Sequence, residues 1–226
     1  MNAIFVTATG TDIGKTFVTA GLIRALRAQG RSVSALKPVI SGLDIDAIET
    51  SDTGILLQAM ERLITPETIA GLSPWRFRAP LSPDMAAARE NRVIDFAELI
   101  TFCRKAIAAA DGTLFIEGVG GAMVPLDARH TVLDWIAALE IPALLVAGTY
   151  LGTISHTLTA LAALTSRGVA VRAIVLNESE NSPVPVAETM GTIGRFAPAV
   201  PITAIPRGDD STALQAAFGQ LCAHVE

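Results

Sequence analysis

The sequence predicts an α/β fold, a single doubly wound, mostly parallel sheet flanked by helices. Three observations predict it. Short β-rich runs alternate with longer helical patterns, the runs lack the polar alternation of a half-exposed strand, and a glycine-rich turn follows the first run. Strands that are apolar on both faces, each followed by a helix, need helices on both sides of a parallel sheet.

The expected strands are "AIFVT" (3–7), "VSALKPV" (33–39), "TLFIEG" (113–118), "PALLVAG" (142–148), "VRAIVLN" (171–177) and "VPITAIP" (200–206). The clearest helix spans about 14–29: Val18, Leu22, Ile23 and Leu26 share one face and Gly30 follows as a stop. Others are expected near 52–62, 95–110, 132–140, 154–166, 186–196 and 211–224. Residues 63–94 read as a long connection with three prolines in "LSPWRFRAPLSPDMAAARE", the kind of segment that is either functional or poorly ordered.

The chain has 226 residues, enough to bury about three quarters of its unfolded surface in one domain spanning 1–226. No repeat or linker divides it. Half of the residues are hydrophobic and 17% are charged, which excludes a disordered chain. Pro, Gly or a charge breaks every apolar run before the roughly 18 residues of a membrane span. The opening "MNAIFVTATG" has no basic segment and reads as a first strand, so a cytoplasmic protein is expected. A net charge of −5 without clustered Lys and Arg argues against a nucleic-acid partner. Cys103 and Cys222 belong to no CxxC or Cys/His cluster and read as packing residues.

Residues 6–16, "VTATGTDIGKT", carry the first chemical signal. Gly14-Lys15-Thr16 has the form of a phosphate-binding loop entering its helix. The usual P-loop glycine five residues earlier is Thr9 here, with Gly10 one place late. The physics tolerates this. A strand must turn sharply, present backbone N–H groups to an anion and enter a helix whose dipole favours negative charge. Lys15 would bridge terminal phosphates and Thr16 would ligate Mg²⁺. A glycine-rich turn bearing a surface lysine satisfies the same letters.

Two further strand ends carry charge. "LKPVISG" places Lys37 where open α/β sheets bind ligands, the alternative being a surface lysine on an edge strand. "TLFIEGVGG" ends in Glu117, in the position of the second Mg²⁺ partner of P-loop proteins, or else a carboxylate capping a glycine loop. Between them, "DIDAIETSDTG" reads as a solvated acidic loop in which Ser51-Asp52 caps a helix.

Taken in order and spacing, "GTDIGKT", "KPVISG", "SD" before a helix, "EGVGG", "LGTISH" and the late "IP" resemble dethiobiotin synthetase over nearly the whole chain. The departures are Ala8, where the family has the glycine of a "GT" pair, Asp84 in place of a histidine, and Thr189 in place of a tyrosine seen in some members. The resemblance implies a P-loop NTPase-like fold and an ATP- and Mg²⁺-dependent ligase. That enzyme closes the ureido ring of dethiobiotin from 7,8-diaminopelargonate and CO₂ through a phosphorylated carbamate, releasing ADP and phosphate.

The resemblance also assigns roles. Lys37, Lys15 and Thr11 would be catalytic. Asp12, Ile13, Gly14, Lys15, Thr16 and Phe17 would bind ATP, with Asp52 and the loop Glu117, Gly118, Val119 and Gly120. Thr16, Asp52 and Glu117 would hold Mg²⁺. Asn177 would read the adenine edge, lined by Pro206, Arg207 and Gly208. Ser41 and Thr11 would face the diamine, and Gly152, Thr153 and Ile154 of a second subunit would hold its carboxylate.

A homodimer with a shared active site is therefore expected. The helix near 154–166 agrees, because Ile154, Leu158, Leu161, Ala162 and Leu164 spread beyond one stripe, although a helix fully buried in one layer would look the same. His156 reads as a packed or interface residue. Two other readings share the loop. A partition- or septum-site switch ATPase would carry an early P-loop lysine that 7–14 lack, and a cobyrinate-type amidotransferase would need a glutaminase domain.

Overall fold

A computed structural model describes residues 2–208 and 210–225. Its main sheet holds six parallel strands: β1 (Asn2–Ala8), β2 (Val33–Leu36), β5 (Thr113–Glu117), β6 (Ala143–Ala147), β7 (Val171–Asn177) and β8 (Ile202–Ile205). Their order is β2-β5-β1-β6-β7-β8. From β1 the chain passes out to the edge strand β2, returns through β5, and then crosses to run outward through β6, β7 and β8, so β1 ends at the reversal where such sheets take ligands.

Alternation along β1 shows how both faces are covered. Ile4, Val6 and Ala8 point into one core and Ala3 and Phe5 into the other. The first core is covered by α1 (Lys15–Ala28), α2 (Asp52–Ala59), α3 (Pro66–Leu72) and α9 (Ser211–Cys222). The second is covered by α4 (Pro83–Arg89), α5 (Phe96–Ala109), α6 (Val132–Leu139), α7 (Thr153–Ser166) and α8 (Val186–Phe196). Trp135 of α6 sits edge-on to Phe5, with ring centroids 4.9 Å apart. Cys103 and Cys222 are free and buried as packing residues, and burial pushes the Cys103 thiol up to about 12.

The expected strand 33–39 is shorter than its apolar run. Pro38 has no N–H to give the sheet, and β2 stops at Leu36. The chain then leaves the main sheet: Lys37 N–H donates to the Leu72 carbonyl, and β3 (Val39–Ile40) pairs with β4 (Trp75–Arg76) in a parallel ribbon of its own. Residues 63–94 are correspondingly more ordered than a long connection. They contain α3, β4 and α4, and α3 opens with a reciprocal Thr65–Thr68 capping box.

Helix α7 is not enclosed in one layer. Leu161 and Leu164 are buried, Ile154 and Leu158 are half-buried, and Ala162 is exposed. Among the described residues no helix is long and apolar enough to cross a membrane.

Helix α2 is held close to the preceding 3₁₀ turn (Ile48–Thr50), and this fixes where Asp52 stands. A Cβ on Gly54 would lie 2.0 Å from the Ile48 carbonyl oxygen and 2.9 Å from Glu49 Cα, both backbone atoms. Gly54→Ala should therefore lower stability by about 1–3 kcal/mol. The measurement is urea unfolding, in which the midpoint falls with little change in slope. An unchanged midpoint would contradict this close approach.

Candidate functional site

The C-terminal ends of β1, β2 and β5 surround a cleft of about 460 Å³. Thr11, Asp12, Gly14, Lys15, Thr16, Lys37, Ser41, Asp52, Val119 and Gly120 line it, together with Ile40, Gly42, Thr50 and Ser51. Ten of the site residues marked in the sequence thus meet in one place.

The loop after β1 leaves the strand without strain at Ala8. That residue is extended, buried and paired with Val146 of β6, and the left-handed turns fall later, at Asp12 (φ 57°) and Gly14 (φ 94°). A glycine is not needed at position 8, because the loop turns after it. Among the described residues, the N–H groups of residues 10–14 donate no backbone hydrogen bond. The first turn of α1 adds its own unpaired donors. The loop after β5 is tied to this turn: Gly118 N–H donates to Val6 and Ala122 N–H to Ala8.

At the floor of the cleft lies a charge cluster. Lys37, whose side chain is 2% exposed, has Nζ at 2.7 Å from Glu117 Oε1 and 2.9 Å from Asp52 Oδ2, and donates to the Gly118 carbonyl at 2.8 Å. It is not a surface lysine. Burial opposes its charge, but the Glu117 and Asp52 carboxylates outweigh that cost and hold its pKa above the ordinary lysine value. Burial likewise works against the charge on Asp52, yet the Lys37 ammonium at 2.9 Å keeps this carboxyl below its usual range.

Thr16 Oγ1 donates to Glu117 Oε1 at 2.7 Å, while Glu117 Oε2 is buried with no hydrogen-bond partner among the described residues. Lys15 Nζ donates to the Gly10 carbonyl at 3.2 Å. Burial and the nearby Lys37 pull Lys15 down to about 8 against the pull of Glu117, Asp52 and Asp12. Ser51 is the N-cap, accepting from Gly54 N–H at 3.2 Å, and this leaves the Asp52 carboxylate free for Lys37.

Asn177 ends β7 beside this loop and donates from Nδ2 to the Ile13 carbonyl at 3.0 Å. It pairs in register with Ile205, so Pro206, Arg207 and Gly208 follow at the neighbouring strand end. Arg207 N–H is held by Glu178 Oε2 at 2.9 Å. Phe17 lies outside the cleft. Its ring is exposed in a groove between α1 and α9, at 5.9 Å from that of Phe218. Gly152, Thr153 and Ile154 also lie apart from the cleft lining of their own chain. They open α7 after β6, where the Thr153 hydroxyl donates to the Gly148 carbonyl at 2.7 Å. His156 meets the Tyr150 hydroxyl at 2.9 Å on the surface.

The cleft also holds residues that spacing did not mark. Ile40 and Gly42 accompany Ser41 on the diverging β3 segment, and Thr50 belongs to the turn before α2. The "KPVISG" and "ETSD" stretches contained them without distinguishing them from their neighbours.

Comparison with known proteins places the chain in a family. The family model AAA_26, an AAA domain, matches residues 2–215. The ATP-dependent dethiobiotin synthetase BioD of Acidiphilium cryptum is 54% identical over 202 residues, covering 89% of this chain and 91% of that protein. The protein of the same description from Methylobacterium nodulans is 51% identical over 213 residues, covering 92% and 94%. In fold, the chain resembles the cell division ATPase MinD of Pyrococcus furiosus (TM-score 0.58, 18% identity, 100% and 98% of the two chains) and a ParA family ATPase from Chlorobium tepidum (TM-score 0.58, 15% identity, 99% of each).

Removing the ammonium from this cluster would leave two carboxylates facing each other at the floor. Lys37→Met should therefore cost on the order of 3 kcal/mol of stability. This is read from chemical unfolding without nucleotide or divalent cation. A variant as stable as the parent would show that the carboxylates do not depend on Lys37.

Proposed function

We infer from this cleft the reaction of the family to which the chain belongs, the ATP-dependent dethiobiotin synthetases. The observation that carries the reading is the meeting of two buried ammonium groups, Lys15 and Lys37, with a turn of unused N–H groups at the ends of parallel strands. Such a site is built to hold phosphate and to stabilise charge that moves between two anions.

The substrates are 7,8-diaminopelargonate, CO₂ and ATP. One amine takes up CO₂ as a carbamate, and a carbamate oxygen attacks the γ-phosphorus to release ADP. The second amine then attacks the carbonyl carbon of the mixed anhydride, closing the ureido ring and expelling phosphate. In this scheme Lys15 holds the terminal phosphates and Lys37 the carbamate, each acting on charge that grows in the transition state. Thr11 and Ser41 orient the diamine from the cleft wall. Asn177 and Pro206–Gly208 line the base, and Gly118–Gly120 close the nucleotide side.

Mg²⁺ fits the donor set. The Thr16 hydroxyl and the Asp52 and Glu117 carboxylates are hard oxygen ligands, and the buried Glu117 Oε2 is a carboxylate oxygen with no hydrogen-bond partner among the described residues. When bound, Mg²⁺ supplies positive charge to the phosphate oxygens. Thr16 also restrains the Glu117 carboxylate through its hydroxyl.

The protein acts as a homodimer, in the cytoplasm, as a single domain. Within one chain, Gly152–Ile154 do not line the cleft, so a site that uses the N–H groups at the start of α7 for the substrate carboxylate needs those of a second subunit. The partly exposed apolar surface of α7 supports that contact.

With diaminopelargonate, bicarbonate, Mg²⁺ and ATP, dethiobiotin should appear by mass, and ATP consumption should require the diamine. Equal ATP turnover without diamine would overturn the ligase reading in favour of a switch ATPase. Glu117→Gln and Thr16→Val should each raise the Mg²⁺ concentration needed for half-maximal rate, and Glu117→Gln should also lower the unfolding midpoint, because it takes the charge from the buried partner of Lys37. Full activity at limiting Mg²⁺ would remove that ligand.

The shared site is tested by mixing. Lys15→Ala and Gly152→Glu chains, each inactive alone, should regain activity after subunit exchange. No recovery in mixtures shown to contain heterodimer would exclude it.

A further inference from the structure

Base recognition uses only part of what Asn177 does in this fold. Its side chain turns from the end of β7 onto the phosphate loop, and the Ile13 oxygen it contacts at 3.0 Å is a carbonyl. The amide nitrogen must therefore face the loop, since a carbonyl only accepts.

The peptide joining Ile13 to Gly14 is planar and trans, so its C=O and N–H point in opposite directions. Holding the Ile13 oxygen toward Asn177 turns the Gly14 N–H the other way. Gly14 lines the cleft, and among the described residues its N–H donates no backbone hydrogen bond. The approach is also tight. Gly14 adopts φ 94°, and a Cβ there would stand 2.2 Å from Asn177 Nδ2. Asn177 is itself held by the strand, paired in register with Ile205.

We propose that Asn177 is a positioning residue for the phosphate loop: by anchoring the Ile13 carbonyl it aims the Gly14 N–H at the bound polyphosphate. The inference rests on the reading of this loop as a phosphate site and adds to Asn177 a role that needs no base. It makes the strand end that meets the nucleoside also set the geometry of the phosphates.

Inorganic tripolyphosphate with Mg²⁺ separates the two roles, because it has phosphates and no base. Its affinity is measured by calorimetry for the full-length protein and for Asn177→Asp and Asn177→Ala, beside that of ATP. Asn177→Asp keeps the shape but sets a carboxylate against the Ile13 carbonyl, and Asn177→Ala removes the donor. Either folded variant should bind tripolyphosphate about tenfold more weakly, the usual scale for misplacing one charge-assisted hydrogen bond.

A purely structural role would lower the unfolding midpoint and leave the tripolyphosphate affinity of the folded protein unchanged. That result, or weaker ATP binding with undiminished tripolyphosphate binding, would overturn the proposal. Failure of the unmodified protein to bind tripolyphosphate would overturn the phosphate-site reading and this inference with it.

Discussion

An ammonium group that is almost completely buried must be matched by charge and hydrogen bonds, and Lys37 is matched by two segments far apart in sequence, one around Asp52 and one at Glu117-Gly118. Glu117 comes from the end of β5, Asp52 from the start of α2, and the Gly118 carbonyl from the glycine loop. The requirement is mutual, because the Glu117 carboxylate is equally buried and also receives Thr16 from the phosphate loop. One ion cluster therefore ties the phosphate loop, the strand end beyond β2 and the acidic turn into one site.

The parallel sheet makes this arrangement possible. Because β1, β2 and β5 run the same way, their C-terminal ends deliver Thr11, Lys37 and Glu117 to the same edge. Helix α1 begins at that edge too, adding unpaired N–H groups and the positive end of its dipole. Packing and chemistry are thus separated along each strand. The middles of β1 and β5 carry apolar side chains into the two cores, and polar groups appear where the strands end. Pro38 contributes in the same way. By stopping β2 it sends Val39–Ile40 into a second ribbon, which brings Ser41 and Gly42 over the cleft.

Much of this was legible in the sequence, since it rests on local signals. The six strands were visible as apolar runs and α1 as a helical stripe after "GKT", while Lys15, Thr16, Lys37 and Glu117 stood at recognisable strand or helix ends. What escaped depends on pairing over distance. Two-residue strands such as β3 and β4 have no periodicity to detect, and their partnership joins residues 39–40 to 75–76. The ordered helices inside 63–94 were obscured by the prolines that in fact begin α3 and α4. The contact of Asn177 with Ile13 spans 164 positions, and no spacing rule predicts it. Asp52 combined two readings that had been kept apart: its neighbour Ser51 caps α2 while its own carboxylate meets Lys37.

The central claim is that the cleft passes a phosphoryl group to a carbamate and not to water, and the fate of one oxygen tests it most directly. The reaction is run with ¹⁸O-labelled CO₂, in a time short enough to limit exchange with solvent, and the released phosphate is analysed by mass. The account predicts one labelled oxygen in the phosphate, because the carbamate oxygen that attacks phosphorus leaves with it when the ring closes. Phosphate that carries no label from CO₂ but one oxygen from water would contradict it.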